Sequence, residues 1–346
     1  MDLTIAAILT QDGITTGAVY ALLAIALVLV FTVTRVIFIP AGEIVAYAAL
    51  SMAALQAGKL PGTVALVVAL GALTFAVDVA VALAHRTRTG LLASALVHVA
   101  WPVGVGLLLR GAGTAQWPQA LQIAACLALL VPLGPMLYRL CFQPIAQAST
   151  LVLLIVAVAV HSALLGVGLL VFGAEGSRTN ALTDWRIAAN GLDLSGQSVI
   201  VVAVCLAIMG AFAAFFARTL TGKALRAAAI NRVGAQLVGV SSVRSGQLAF
   251  GMACAVAVLC GVLLGPITTV YYDSGFLIGL KGFVGAIIGG LVSYPIAAAG
   301  AVLVGLMESF ASFWASAYKE VLVFALIVPV LVWRSLRHVQ VDDDEE

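Results

Sequence analysis

Ile14-Thr15-Thr16-Gly17-Ala18-Val19-Tyr20-Ala21-Leu22-Leu23-Ala24-Ile25-Ala26-Leu27-Val28-Leu29-Val30-Phe31-Thr32-Val33-Thr34 runs without one charged side chain. A helix of about 20 apolar residues is what crosses the hydrocarbon core of a bilayer. The rest of the chain repeats the pattern. Further apolar runs, divided by short polar breaks, lie at 36–57, 61–84, 91–109, 118–138, 150–173, 198–217, 247–270, 277–294, 296–314 and 321–334. The run 91–109 carries His98 and Trp101-Pro102, which weaken it as a span. Only Tyr294-Pro295 divides 277–294 from 296–314, which makes one of them a re-entrant candidate. The pattern predicts an all-α, polytopic transmembrane helical bundle of about 10–11 spans, forming a single domain over 1–346.

Composition agrees. Of 346 residues, 63% are hydrophobic and 9% charged, with a mean hydropathy of +1.16. Soluble domains are roughly 45–50% apolar and about 25% charged. The difference excludes an ordinary soluble enzyme, a disordered chain and a nucleic-acid binder. Cys126, Cys141, Cys205, Cys254 and Cys260 lie in or beside apolar runs with no CxxC pair. They read as small buried hydrophobes, with neither a disulfide framework nor a metal site. The start Met1-Asp2-Leu3 lacks the basic segment of a signal peptide, so the first run is expected to stay as a span. Neither Gly58-Lys59-Leu60 nor Gly222-Lys223-Ala224 has the hydroxyl residue and upstream glycine of a phosphate-cradling loop. No HExxH pair occurs. The chain is therefore expected to be non-catalytic, with no cofactor and no metal.

Basic loops stay on the cytoplasmic side of a membrane. The richest, 218–246, holds Arg218, Lys223, Arg226, Arg232 and Arg244 and no acidic residue. With that loop inside, eleven alternating spans also put Arg35, Arg86, Arg88, Arg139, Arg334 and Arg337 inside. Lys59, Arg110, Arg178, Arg186 and Lys319 fall outside, and Lys281 lies within a span. The N-terminus is then expected outside and the C-terminus in the cytoplasm. The acidic tail 339–346 reads as a solvated end.

Three groups of residues carry candidate chemistry. Pro40-Ala41-Gly42-Glu43 opens the second run. Proline removes a donor and glycine loosens the backbone. A helix broken there either presents free N–H groups to an anionic ligand or simply starts near the interface with Glu43 favoured by the helix dipole. Loop 218–246 contains Gly222, Arg226 and Asn231 in a helix-forming stretch followed by Gly239. It fits a short amphipathic helix on the membrane surface or against a cytoplasmic partner. Lys281 and Glu308 both lie inside apolar runs, where ionisable groups pair or line a pathway. Lys281 has Glu308, Glu43 and Asp78 as potential partners. Asp78, His98 and His161 read as isolated polar groups in helix contacts, and Lys319-Glu320 as a solvated edge. The spacings Gly261-xxx-Gly265 and Gly285-xxx-Gly289 allow close helix packing.

Residues 16–24, 33–38 and 42–43 follow an order that continues through Gly222–Arg226, Leu237–Val240, Gly261–Ile267, Gly275–Phe283 and Ala286–Gly290. This order resembles the branched-chain amino acid ABC transporter permeases over roughly 10–80 and 130–335. Many relatives have Ala-His or Ala-Gln before Gly-Glu, where this chain has Pro40-Ala41, and residues 80–117 look like an insertion adding one or two spans. The resemblance implies an importer permease subunit, in the bacterial cytoplasmic (inner) membrane, carrying branched-chain amino acids or a related small solute. Pro40, Gly42, Glu43, Lys281 and Glu308, taken from the residues themselves, are the pathway candidates, and the resemblance implies that the loop with Gly222, Arg226, Asn231 and Gly239 is the ATPase-coupling loop. The partners it implies are two cytoplasmic ABC ATPase subunits, a second permease subunit, an extracytoplasmic solute-binding protein and membrane lipid, with no nucleic acid. The competing reading is an ion- or proton-coupled secondary transporter that uses Glu43, Asp78, Lys281 and Glu308 as a relay.

Overall fold

A computed structural model describes residues 3–84, 90–189 and 192–337. Arg86, Arg88 and the acidic tail 339–346 lie outside the described residues. Among the described residues, nine helices are long and apolar enough to cross a membrane. In chain order α1 is Leu3–Thr34, α3 Thr63–Ala84, α4 Leu91–Gly111, α5 Gln119–Ile145 and α6 Thr150–Phe172. After a far-side loop come α7 Gly196–Arg218, α10 Ser242–Leu264, α12 Tyr294–Trp314 and α13 Ser316–Trp333. Two shorter apolar helices complete the apolar set, α2 Ala41–Gln56 and α11 Ser274–Ile288. Between α7 and α10 lie two short helices, α8 Leu220–Ile230 and α9 Arg232–Leu237. These eleven apolar helices correspond to the eleven apolar runs. A small antiparallel hairpin, β1 Arg186–Ala189 with β2 Leu192–Ser195, decorates the loop before α7.

Several helices differ from the apolar runs at their ends. Helix α1 starts at Leu3 rather than near residue 14, taking Asp12 into its first half. Helix α10 starts at Ser242, so Arg244 sits in its first turn and the basic loop shortens to 219–241. Capping explains this: the Ser241 hydroxyl accepts from the Arg244 N–H at 3.4 Å. The doubtful segment 91–109 is one helix that widens into a π turn over Leu96–Ala100, just before Trp101-Pro102. A proline in a helix interior lacks its N–H and crowds the preceding turn, and a π turn absorbs that defect. The same device, a π turn over Tyr138–Phe142, precedes Gln143-Pro144 at the end of α5.

The core is built on α1, whose most apolar stretch is 83% buried, whereas α4 is 11% and α13 6% buried. Helix α12 lies directly on α1. A Cβ on Gly13 would come 2.8 Å from the Leu306 backbone, and one on Gly17 2.8 Å from that of Val302. Only small residues allow backbones this close in a membrane. The anticipated small-residue spacings face neighbours in the same way: Gly261 abuts Val45 and Ala48 of α2, and Gly285 and Gly289 abut Ala301 and Ala297 of α12.

Helices α2 and α11 both begin in mid-bundle. Phe38, in the link before α2, stacks on Phe250 in the first half of α10, with ring centroids 4.6 Å apart. Val45 and Ala48, one turn into α2, lie against Gly261 in the last turn of α10. The start of α2 therefore sits between those two levels. Likewise, Phe276 in the first turn of α11 stacks on His161, halfway along α6, at 4.7 Å.

Helix α4, within the stretch read as an insertion, sits at the edge of the bundle. It docks through Trp101 Nε1, which donates to the Ala128 carbonyl at 2.9 Å. A polar staple secures it: Ser94 Oγ donates to Asp78 Oδ2 at 2.6 Å, and Arg139 Nε donates to Asp78 Oδ1 at 2.7 Å. Asp78 and His98, read from sequence as isolated groups, thus belong to one network; Ser94 and His98 Nδ1 lie 3.1 Å apart. Replacing Arg139 with Leu is expected to cost about 1–3 kcal/mol, the penalty for stranding a poorly solvated polar partner. Thermal unfolding of the purified chain should show a lower Tm for Arg139→Leu. Adding Asp78→Asn should recover most of it; an unchanged Tm in the single variant would refute the staple.

Candidate functional site

The first turns of α2 and α11 cross at glycines. A Cβ on Gly42 would strike the Gly275 carbonyl, and one on Gly275 would come within 2.8 Å of the Glu43 Cα. A Cβ on Gly279 would lie 3.1 Å from the Gly42 Cα. Pro40 is the N-cap residue just before α2, with φ −60°. The helix is thus broken where the Pro-Ala-Gly-Glu stretch lies. Its first amides are not free, however. Ala41 N–H donates to the Phe38 carbonyl at 3.1 Å and Gly42 N–H to that of Ile39 at 3.3 Å. The expectation of open N–H groups awaiting an anion is therefore not met at Ala41 and Gly42.

What the crossing does hold is a carboxylate. Glu43 is fully buried, and its Oε1 lies 2.9 Å from His161 Nδ1 on α6. Among the described residues, no hydrogen bond of good geometry reaches either of its oxygens. Its ring neighbour is Phe276, which stacks on His161, and one turn along α2 the Tyr47 hydroxyl donates to the Leu164 carbonyl. A charged group in such a place is costly and marks function or pairing. His161 was missed as its partner by sequence reading because a single histidine on an apolar helix carries no spacing signal. The alternative reading of an interfacial helix start does not fit the mid-bundle position of Glu43.

Lys281, 5% exposed, forms a second cluster. Its Nζ donates to Glu308 Oε1 at 2.5 Å and to Glu320 Oε1 at 3.2 Å, and lies 5.9 Å from the centre of the Tyr20 ring. The Tyr20 hydroxyl donates to Glu308 Oε2 at 2.8 Å. Of the partners left open by the sequence, Lys281 takes Glu308, while Glu43 and Asp78 belong to other networks. The reading of Glu320 as a solvated edge is corrected: the long lysine stem reaches it from α11, tying α13 to the bundle. The predicted pathway candidates therefore divide into two places, Pro40, Gly42 and Glu43 at the helix crossing, and Lys281 with Glu308 between α11, α12 and α1.

The basic segment has its own architecture. Thr219 Oγ1 accepts from Gly222 N–H at 2.9 Å and starts α8; Asn231 Oδ1 accepts from Gly234 N–H at 2.8 Å and starts α9. Two caps thus turn one anticipated helix into two. Gly222 is packed so closely that a Cβ would lie 2.8 Å from the Phe216 Cα. Arg226 is exposed, and Gly239 closes α9 with φ +90°. On the opposite side of the bundle, Arg178 donates through Nη2 to the Pro266 and Ile267 carbonyls at 2.8 and 3.1 Å. Gln56 Oε1 accepts from Asn180 N–H at 2.9 Å, so the long loop before α7 is pinned across the ends of α2 and α10.

A bundle of membrane helices around two half-length helices, with a buried acid at their crossing and a buried ion pair farther along α11, is the architecture of a multi-pass permease-type membrane protein. A family model described as the permease component of the branched-chain amino acid transport system matches residues 9–331, and the chain belongs to that family. It is 34% identical over 147 residues to BraD, a high-affinity branched-chain amino acid transport system permease protein of Pseudomonas aeruginosa; the match covers 42% of this chain and 48% of BraD. It is 28% identical over 245 residues to the LivH permease proteins of Escherichia coli (strain K12) and Salmonella typhimurium, covering 68% of this chain and 79% of theirs. The match thus spans about half the length of BraD and about four-fifths of LivH. No solved structure matches the chain.

Proposed function

We propose that this chain is a non-catalytic permease subunit of an ATP-binding cassette importer for branched-chain amino acids or a closely related small solute. The observation that carries the coupling half of this reading is the surface of α8 and α9. Val233, Leu237 and Val238 are 68%, 84% and 78% exposed on a segment that is otherwise basic and lies outside the spans. Contiguous exposed apolar side chains rimmed by polar groups mark a site for a partner. We assign that partner as a cytoplasmic ATPase, one for each of two permease subunits. The segment 219–241 then transmits its motion to α7 and α10, the helices at its two ends. This orientation puts the N-terminus outside, the C-terminus in the cytoplasm, and the loop before α7 on the face where a solute-binding protein delivers cargo. The membrane is the bacterial inner membrane. Helix α4 is a peripheral addition, outside the pathway.

The solute pathway runs past the α2–α11 crossing. Glu43 is fully enclosed there, so this is a closed state, and solute reaches it when the two half-helices part. An amino acid brings an ammonium group for the Glu43 carboxylate and an aliphatic side chain for the ring of Phe276. Lys281 and Glu308 hold the middle of α11 to α12 and set how far it can swing.

The test is reconstitution. The chain alone in liposomes is expected to show neither uptake nor ATPase activity. With its ATPases, a second permease and the binding protein, it should show ATP-driven uptake of leucine or a similar solute. Uptake by the lone chain under a proton or sodium gradient would overturn this reading in favour of a secondary transporter. Within the assembled system, Glu43→Gln should lower the uptake rate several-fold or change solute preference, with insertion unchanged. Wild-type kinetics in that variant would reduce Glu43 to a packing role.

A further inference from the structure

A cavity of about 590 Å³ opens between the end of α1, α7, α8 and the turn joining α11 to α12. That is within the ~300–1,000 Å³ range of ligand pockets. Its wall is apolar and aromatic, with Ile25, Phe31, Phe212, Phe216 and Tyr294 among its residues. The rings of Phe216 and Tyr294 stack 5.7 Å apart. Two cations, Arg35 and Arg226, share this lining, and no Asp or Glu does. Among the described residues neither guanidinium has an ion-pair partner. Ile230 and Val292, also in the lining, are 80% and 70% exposed, so the cavity has an apolar rim. The most apolar stretch of α7 is only 17% buried, so most of its surface is left uncovered by the other helices of this chain.

An apolar chamber beside a membrane-spanning helix, with two arginines that have no ion-pair partner among the described residues in its lining, suits a hydrocarbon chain ending in a phosphate. Arginine suits phosphate through its fork of donors, and basic residues at a membrane surface favour anionic headgroups. We propose that this cavity holds an acyl chain of an anionic phospholipid from the leaflet on the basic side of the bundle, with its phosphate bound by Arg35 and Arg226. Such a lipid is a wedge between α8 and the ends of α1 and α7. It fixes the resting position of the segment assigned above to coupling. That consequence rests on the proposed function; the binding site does not, because lipid retention is read on the chain without ATPases.

The experiment is native mass spectrometry of the purified full-length chain in detergent, supplied with phosphatidylglycerol or phosphatidylcholine bearing the same acyl chains. The wild type is expected to retain phosphatidylglycerol about thirtyfold better, the effect of two arginines at a membrane surface. Arg35→Gln with Arg226→Gln should bring the two lipids level. Both arginines are exposed, so their loss leaves the fold in place. Ala229→Trp, which fills the cavity, should lower phosphatidylglycerol retention with both arginines present. Equal retention of the two lipids by the wild type, or a preference that survives the double substitution or the filled cavity, overturns the proposal. Dodecyl phosphate is the single-chain competitor. If it displaces phosphatidylglycerol at equal concentration, the occupant is a free amphiphile and the phospholipid assignment fails.

Discussion

Lys281→Met is expected to be the most damaging single substitution in the bundle. The ammonium of Lys281 is the shared donor for Glu308 and Glu320, at 2.5 and 3.2 Å, and among the described residues the Tyr20 hydroxyl alone gives Glu308 a second one. Methionine keeps most of the volume but strands the mostly buried Glu308, 15% exposed, beside Glu320, which keeps about a third of its side chain in contact with solvent. Breaking a buried ion pair by removing one partner costs about 3–5 kcal/mol. Folded proteins hold only ~5–15 kcal/mol in reserve, so the yield of folded chain in membranes should fall sharply and Tm with it. Neutralising the stranded acids separates the electrostatic cause from a packing one. Lys281→Met combined with Glu308→Gln and Glu320→Gln should regain most of the lost stability, because well-packed neutral groups replace buried ion pairs at little cost. A wild-type Tm in the single variant, or no recovery in the triple variant, would show that the cluster does not hold α11, α12 and α13 together.

That cluster also shows where sequence reading reaches its limit. The spans themselves were legible, because about 20 apolar residues between polar breaks have few other fates in a chain with so little charge. The small-residue spacings of α10 and α11 were legible for the same kind of reason, as their contacts follow from helix geometry. Depth was not. Residues 36–57 are mostly apolar, with Glu43 the one charged residue, and nothing in their composition says that the first part is a link reaching mid-bundle and that a helix begins only at Ala41. The hint was Pro40 followed by Gly42, which marked a break without giving its level. Partners were the hardest part. Glu43 with His161, and Lys281 with Glu320, are 118 and 39 positions apart (161 − 43 and 320 − 281), and long-range pairs leave no periodic trace in one sequence. Glu320 looked solvated because it follows Lys319 at a helix start; the length of the Lys281 stem overrode that local cue.

Gly239→Pro is expected to abolish transport while leaving the bundle intact, and the reason lies in one dihedral angle. Gly239 ends α9 with φ +90°, a left-handed conformation that closes helices. Proline is locked near φ −65° and has no N–H, so it also loses the bond from Gly239 N–H to the Gln236 carbonyl at 3.0 Å. The link from α9 into α10 must then follow another course, and the exposed face of Val233 and Leu237 turns with it. Nothing lies within 4 Å of where a Cβ at this position would stand, and the residue is exposed, so the change does not reach the core. Alanine is the graded control: it meets no clash, keeps the N–H and pays only the left-handed penalty of about 1–2 kcal/mol. ATP-driven uptake in the reconstituted system should therefore fall in the order Gly, Ala, Pro, by about tenfold or more for proline, with equal membrane insertion for all three. If the proline variant transports as well as the wild type, segment 219–241 does not carry the power stroke, because no relay survives redirection of its outgoing link without loss.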